Sequence, residues 1–229
     1  MTAPAIALLD QPRSDGSPRI KFCGFTEPEG IRAAIAAGAD ALGLNFWPGS
    51  KRHVSPEVAA AWFEGGKPSV TSVGVFVNPA REEVLSIWLS GLIDVAQLHG
   101  DESPEFTRSL LAEGVPVIRA FGFAGEESFE RALEYGTPYL LADAPAPGTY
   151  GGTGRVIDWE KLAETKRKYP EVRLVLSGGL NPSNAGAANA AVHPVMLDSA
   201  SGVESSPGIK DPGLCREFVS AVRNAIRRG

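Results

Sequence analysis

Eight short apolar runs of strand type, each followed by an amphipathic segment of helix type, fill residues 19–229 without a linker. They predict an α/β protein with one (β/α)8 barrel, the TIM-barrel class with a parallel eight-stranded core. The count favours closure, since an open doubly wound sheet usually stops at about five to seven strands. Several runs are apolar on both faces, which suits parallel strands covered by helices outside and by one another inside.

The units follow in order. RIKFCGF (19–25) leads into EPEGIRAAIAAG (27–38), ALGLNF (41–46) into SPEVAAAWFEGG (55–66), and TSVGVFV (71–77) into NPAREEVLSIWLSG (78–91). DVAQLH (94–99) precedes SPEFTRSLLAEG (103–114), and VPVIRAF (115–121) precedes EESFERALEYG (126–136). PYLLAD (138–143), VRLVLS (172–177) and PVMLD (194–198) are followed by DWEKLAETKRKYP, PSNAGAANAAV and DPGLCREFVSAVRNAIRR. Thr26, Ser55, Asn78 and Ser103 stand at N-cap positions, each with Pro one or two residues on, and Gly38, Gly65, Gly91 and Gly114 stand where helices should stop. Residues 1–18 read as a flexible extension, and 19–229 as the catalytic barrel domain.

Composition narrows the function. The chain has 229 residues, 43% of them hydrophobic, a formal net charge of −5 and two cysteines. That charge argues against a nucleic-acid or anionic-membrane surface, because phosphate backbones select for excess Lys and Arg. Two cysteines are too few for a disulfide framework, and no metal-ligand spacing occurs, so no metal is expected. Residues 1–18 lack the basic start of a signal peptide, and no apolar stretch approaches the length of a membrane span. The expected compartment is the cytoplasm.

In a barrel of this kind the strand C-terminal ends and the loops after them carry function. Those ends supply Cys23, Asn45, Gln97, His99, Arg119, Asp143, Ser177 and Asp198. Cys23 reads equally as a buried small hydrophobe or as a reactive thiol, and Asp143 as a loop cap or a proton donor. For His99 a satisfied strand-end role is one reading, the same reading is favoured for His53 and His193, and Cys215 reads as core. Arg52 precedes a helix start, where a cation gains nothing from the helix dipole, and so hints at a ligand carboxylate. Glycine-rich stretches after the last two strands, SGGLNPSN (177–184) and SASGVESSPG (199–208), suit backbone phosphate binding; GGTG (151–154) is a third such stretch.

KFCGFT, GADALGLNFWPGSKRHVSP, VGVFVN, AQLHGDE, DAPAPGTYGGTGRVIDW, LSGGLNPSN and DSASGVESSPGIKD, in this order, resemble the motifs of the phosphoribosylanthranilate isomerase family of tryptophan biosynthesis. The resemblance runs from Ile20 to the C-terminus. It implies a cofactor-free Amadori rearrangement of a small phosphorylated substrate, with Cys23 as base and Asp143 as acid. It further implies Arg52 for the anthranilate carboxylate, and Gly178, Gly179, Ser201 and Gly202 for phosphate. Gln97, His99 and Asp198 would position the ribose. Ala200 departs from the family's usual serine, and Phe22 and Phe25 from isoleucine. The related isomerase of histidine biosynthesis would need aspartates at the ends of the first and fifth strands, where this chain has Cys23 and IRAFG. A non-catalytic phospho-ligand barrel would be expected to lack the acid or the base. A monomer is expected ahead of a homodimer, with AAWF (60–63) as the candidate apolar face.

Overall fold

The structure, a computed structural model, describes residues 6–11, 13–145 and 156–226. GGTG and residues 146–155 of its motif lie outside them. In chain order the elements are α1 (Ala7–Asp10), β1 (Arg19–Cys23), α2 (Pro28–Ala37), β2 (Ala41–Asn45), α3 (Pro56–Ala61), β3 (Thr71–Phe76), α4 (Arg81–Leu89), β4 (Val95–Leu98) and α5 (Pro104–Ala112). There follow β5 (Val117–Gly122), α6 (Glu126–Leu133), β6 (Tyr139–Asp143), α7 (Trp159–Arg167), β7 (Arg173–Leu176), α8 (Ala185–Val192) and β8 (Met196–Ser199). A 3-10 turn (Ser201–Val203), β9 (Glu204–Ser206), β10 (Ile209–Lys210) and α9 (Pro212–Ile226) complete the order.

Strands β1 to β8 form a closed parallel barrel in sequence order, with β8 pairing back to β1. All eight predicted units are present. Alternation along each strand separates two apolar groups. Phe22, Leu44, Phe76, Leu98 and Leu174 face out beneath the helices, where Phe22 meets Phe218 of α9 edge to face at 5.5 Å. Ala41, Val73, Val95, Leu141 and Met196 face in and fill the lower barrel. The upper inward positions are therefore left for polar side chains.

Three sequence expectations change. Ser55 and Ser103 do cap α3 and α5, accepting from Val58 and Phe106. The caps of α2 and α4, however, are Glu27 and Ala80. Thr26 instead donates its hydroxyl to the Gly208 carbonyl at 3.1 Å, and Asn78 takes a left-handed conformation whose side-chain oxygen accepts from Asp101.

The reading of residues 1–18 as flexible does not describe residues 6–10. Ile6 and Leu9, both 4% exposed, plug the base of the barrel. The Ile6 amide donates to the Tyr139 hydroxyl at 2.9 Å, and that hydroxyl donates to Asp10 at 2.7 Å. Burial, helped by the Asp10 carboxylate, pushes Tyr139 up to about 12, so it stays a neutral donor. Two apolar side chains three residues apart suffice because the barrel floor offers an unfilled apolar surface.

The third change follows β8, where the chain forms the antiparallel β9–β10 hairpin before α9. In AAWF, Trp62 and Phe63 are partly buried and pack against the core.

Candidate active site

Inward alternation carries Cys23, Asn45, Gln97, His99, Asp143, Ser177 and Asp198 into one cavity of about 470 Å³ at the C-terminal mouth, with Trp47, Arg52 and Ala200 from the loops. A larger hollow of about 620 Å³ lies at the opposite end beneath α1. Charges around it are paired among themselves, Arg13 and Arg19 with Asp40, and Arg173 with Asp10 at 3.7 Å. No strand C-terminal residue opens into it, so the chemistry belongs to the mouth.

Cys23 ends β1, partly exposed, and its Cα pairs with Gly43 of β2. A side chain at Gly43 would strike the thiol, its Cβ standing 2.5 Å from Sγ. One layer below, Lys21 is fully buried and 2.8 Å from Asp198. Burial works against the lysine's charge, but Asp198 and Cys23 together outweigh it and hold the ammonium protonated. For Cys23 the balance falls the other way. Burial pushes the thiol up, Lys21 and Lys210 pull it down, Asp198 opposes them, and the net direction is upward. The two lysines supply positive potential of the kind a cysteine base needs, and it does not overcome burial. Cys215, buried on α9, is pushed up to about 11 by that burial and is core.

Asp143 ends β6 and is 7% exposed. Its Oδ1 accepts from the Ala144 amide at 2.7 Å, and Oδ2 faces His99 Nε2 at 3.4 Å. His99 Nδ1 lies 3.2 Å from the Gln97 amide nitrogen. With the amide so placed, Nδ1 accepts and the Nε2 proton points at Asp143. His99 thus faces the candidate acid. Among the described residues, Gln97 Oε1 and Asp198 Oδ1 are buried without a hydrogen-bond partner.

Arg52 reaches the cavity, and the acid it meets in the structure is a protein carboxylate, not the ligand carboxylate at which its place before α3 hinted. Glu204 of β9 takes its Nε at 2.8 Å and Nη2 at 2.7 Å. Lys210 of β10 binds the same carboxylate at 2.6 Å and the Cys23 carbonyl at 2.5 Å. The Gly178 and Gly179 backbones are left-handed (φ 87° and 62°), a conformation that suits a ligand-facing loop of this sort. The β7 and β8 loops meet so closely that a Cβ on Gly202 would lie 1.9 Å from the Leu180 carbonyl. Ser199 Oγ ties them by donating to that carbonyl at 2.7 Å. The amides of Gly178, Gly179, Ser201 and Gly202 have no acceptor among the described residues and flank the cavity beside Ser177 and Ala200.

Arg119 is not at the mouth. It points outward from β5, pairs with Glu102, donates to the Gly100 carbonyl at 2.8 Å and lies over the Tyr135 ring. Lys21, Glu204 and Lys210 escaped the sequence reading. Lys21 was accessible to it, because two residues before Cys23 on a strand means the same inward face. Among the described residues no cluster of His, Cys, Asp or Glu is placed to hold a metal ion, and no helix is long and apolar enough to cross a membrane.

Comparison with known proteins bears on this site. The profile of the N-(5'-phosphoribosyl)anthranilate (PRA) isomerase family matches residues 20–221. The N-(5'-phosphoribosyl)anthranilate isomerase of Thermotoga neapolitana is 43% identical over 205 residues, covering 90% of this chain and 98% of that protein. The crystal structure of phosphoribosyl anthranilate isomerase from Thermotoga maritima superposes with a TM-score of 0.82 at 39% identity, covering 90% of this chain and 99% of that one. A crystal structure of phosphoribosyl anthranilate isomerase in complex with reduced 1-(o-carboxyphenylamino)-1-deoxyribulose 5-phosphate gives a TM-score of 0.78 at 37% identity, again covering 90% and 99%. With a cysteine and an aspartate opening into one barrel mouth beside two glycine loops, and with a match along nearly its whole folded length, this chain belongs to the N-(5'-phosphoribosyl)anthranilate isomerase family.

Proposed function

We propose that Cys23 and Asp143 perform an Amadori rearrangement in the mouth cavity. The chain is an isomerase of tryptophan biosynthesis, converting N-(5'-phosphoribosyl)anthranilate to 1-(2-carboxyphenylamino)-1-deoxyribulose 5-phosphate, the third step from chorismate. Asp143 delivers a proton to the furanose ring oxygen, the C1′–O bond breaks, and the nitrogen lone pair forms an iminium. Cys23 as thiolate then removes the C2′ proton, and the C–H electron pair neutralises the iminium to give an enolamine. The C1′ carbon gains a proton, the C2′ hydroxyl loses one, and the ketone results.

The observation that carries this reading is the convergence of β1 and β6 on one cavity, with thiol and carboxyl both lining it. In the same reading Arg52 holds the anthranilate carboxylate, the amides of Gly178, Gly179, Ser201 and Gly202 hold the phosphate, and Gln97, His99 and Asp198 orient the ribose. A sensor barrel would have no use for an acid and a base facing one ligand. The β5 end, Phe121–Gly122, offers no carboxylate for the histidine-pathway relative's chemistry. Residues 19–229 act as the catalytic unit, in the cytoplasm and as a monomer. The exposed large apolar side chains, Val58, Leu89 and Val156, stand on three different segments. The test is loss of phosphoribosylanthranilate fluorescence on adding purified protein. Turnover by wild type that disappears in Cys23→Ala supports the reading, and no turnover by well-folded wild type sinks it.

A further inference from the structure

We infer that Glu204 is a positioning residue for the substrate carboxylate, acting through Arg52 and never touching the ligand itself. The inference rests on the carboxylate role just proposed for Arg52. A guanidinium offers a side edge, made of Nε and one Nη, and an end edge, made of both Nη atoms. Glu204 occupies the side edge of Arg52 at 2.8 and 2.7 Å. Nη1 has no partner among the described residues, so the end edge remains for a second bidentate acceptor.

The side chain has little freedom to turn away. Its stem lies across Gly24, where a Cβ would stand 2.3 Å from Arg52 Cδ, and its amide donates to Ser50 Oγ at 3.0 Å. Glu204 is itself fixed, its side chain 3% exposed against a fully buried Lys210. Burial would raise the Glu204 carboxyl, but Arg52 and Lys210 outweigh it and keep it ionised. Arg52 lines the cavity while Glu204 and Lys210 stand behind it. Lys210 also holds the Cys23 carbonyl, so one buried acid and its lysine fix the carboxylate anchor and the end of the strand bearing the base in a common frame. The β9–β10 hairpin, absent from the sequence reading, thereby gains a purpose: it brings Glu204 to Arg52.

The experiment compares binding of two probes by calorimetry, reduced 1-(2-carboxyphenylamino)-1-deoxyribulose 5-phosphate and its phenylamino counterpart lacking the carboxyl. The readout is the ratio of their dissociation constants in wild type, Glu204→Gln, Arg52→Ala and the double variant. Glu204→Gln should cut the preference for the carboxylate probe by about tenfold, in keeping with loss of a charged hydrogen bond, and raise KM with little change in kcat. Arg52→Ala should abolish the preference, and adding Glu204→Gln to it should remove nothing more. If Arg52→Ala abolishes the preference and Glu204→Gln leaves it intact, or weakens both probes equally, the inference falls while the Arg52 reading stands. If Arg52→Ala keeps the preference, the Arg52 reading itself falls. Should Glu204→Gln not fold, Glu204→Asp keeps the charge beside Lys210 but withdraws it from the guanidinium, and must lower the same ratio.

Discussion

Gly43→Ala should inactivate the enzyme without removing any catalytic atom. Gly43 pairs with Cys23 across β1 and β2, and a Cβ there would stand 2.5 Å from Sγ and 3.0 Å from both Cα and Cβ of Cys23. Carbon and sulfur need at least about 3.5 Å, so something must yield by roughly 1 Å. The Cys23 backbone is held by its pairing with β2 and by Lys210 on its carbonyl, and its neighbour Phe22 is paired with β8, so the sulfur moves. A misplacement of about 1 Å at a reacting atom costs on the order of 10²-fold in rate. The fold should survive: overpacking costs about 1–3 kcal/mol, and alanine recovers roughly 0.5–1 kcal/mol over glycine in a strand. The assay is steady-state turnover by substrate fluorescence, alongside a thermal melt and binding of the reduced product analogue. Turnover should fall about 10²-fold with analogue affinity within a few-fold, because its anchors lie elsewhere. Wild-type turnover by a folded Gly43→Ala protein would mean the thiol's position is immaterial, and the base would have to be sought elsewhere.

Asp143→Asn keeps the volume and the bond from the Ala144 amide but cannot deliver a proton, so kcat should drop by about 10²–10⁴-fold with KM little changed; a rise in KM alone would make Asp143 a binding residue. Gly202→Ala drives a Cβ into the Leu180 carbonyl and parts the two loops, so KM for the phosphorylated substrate should rise well before kcat falls, and unchanged KM would move the phosphate elsewhere. In Lys21→Met the thiol loses its strongest pull downward. The limb of kcat/KM that rises with pH, as thiol becomes thiolate, should then move to higher pH, and an unmoved limb would detach Lys21 from the base.

Most of the architecture was legible because a parallel barrel repeats one local rule. Each strand must be apolar outward for its helix, each helix must be capped and stopped, and these demands act within a dozen or so residues, where sequence patterns are strong. The base of the barrel obeys a different rule. Ile6 and Leu9 become ordered only by covering Val95, Leu141 and Met196, residues contributed by three distant strands. No window around residues 6–10 contains that surface, and a four-residue helix has no stability of its own to reveal it.

The site divides along the same line. Cys23, Gln97, His99, Asp143 and Asp198 were legible because strand ends and period two place them without knowledge of their neighbours. Arg52 was legible only as an anomaly, a cation before a helix start. Half of its explanation lay 152 residues away, in an acid that reads locally as one more polar residue of a glycine- and serine-rich loop. The chemistry of the reacting atoms is thus written into single strands. Their electrostatic setting is not: Lys21 answers Asp198 from the far end of the chain, and Lys210 reaches back to Cys23 from β10. Whether Cys23 is a working base depends on those distant charges offsetting its burial, a balance between elements that no single strand encodes.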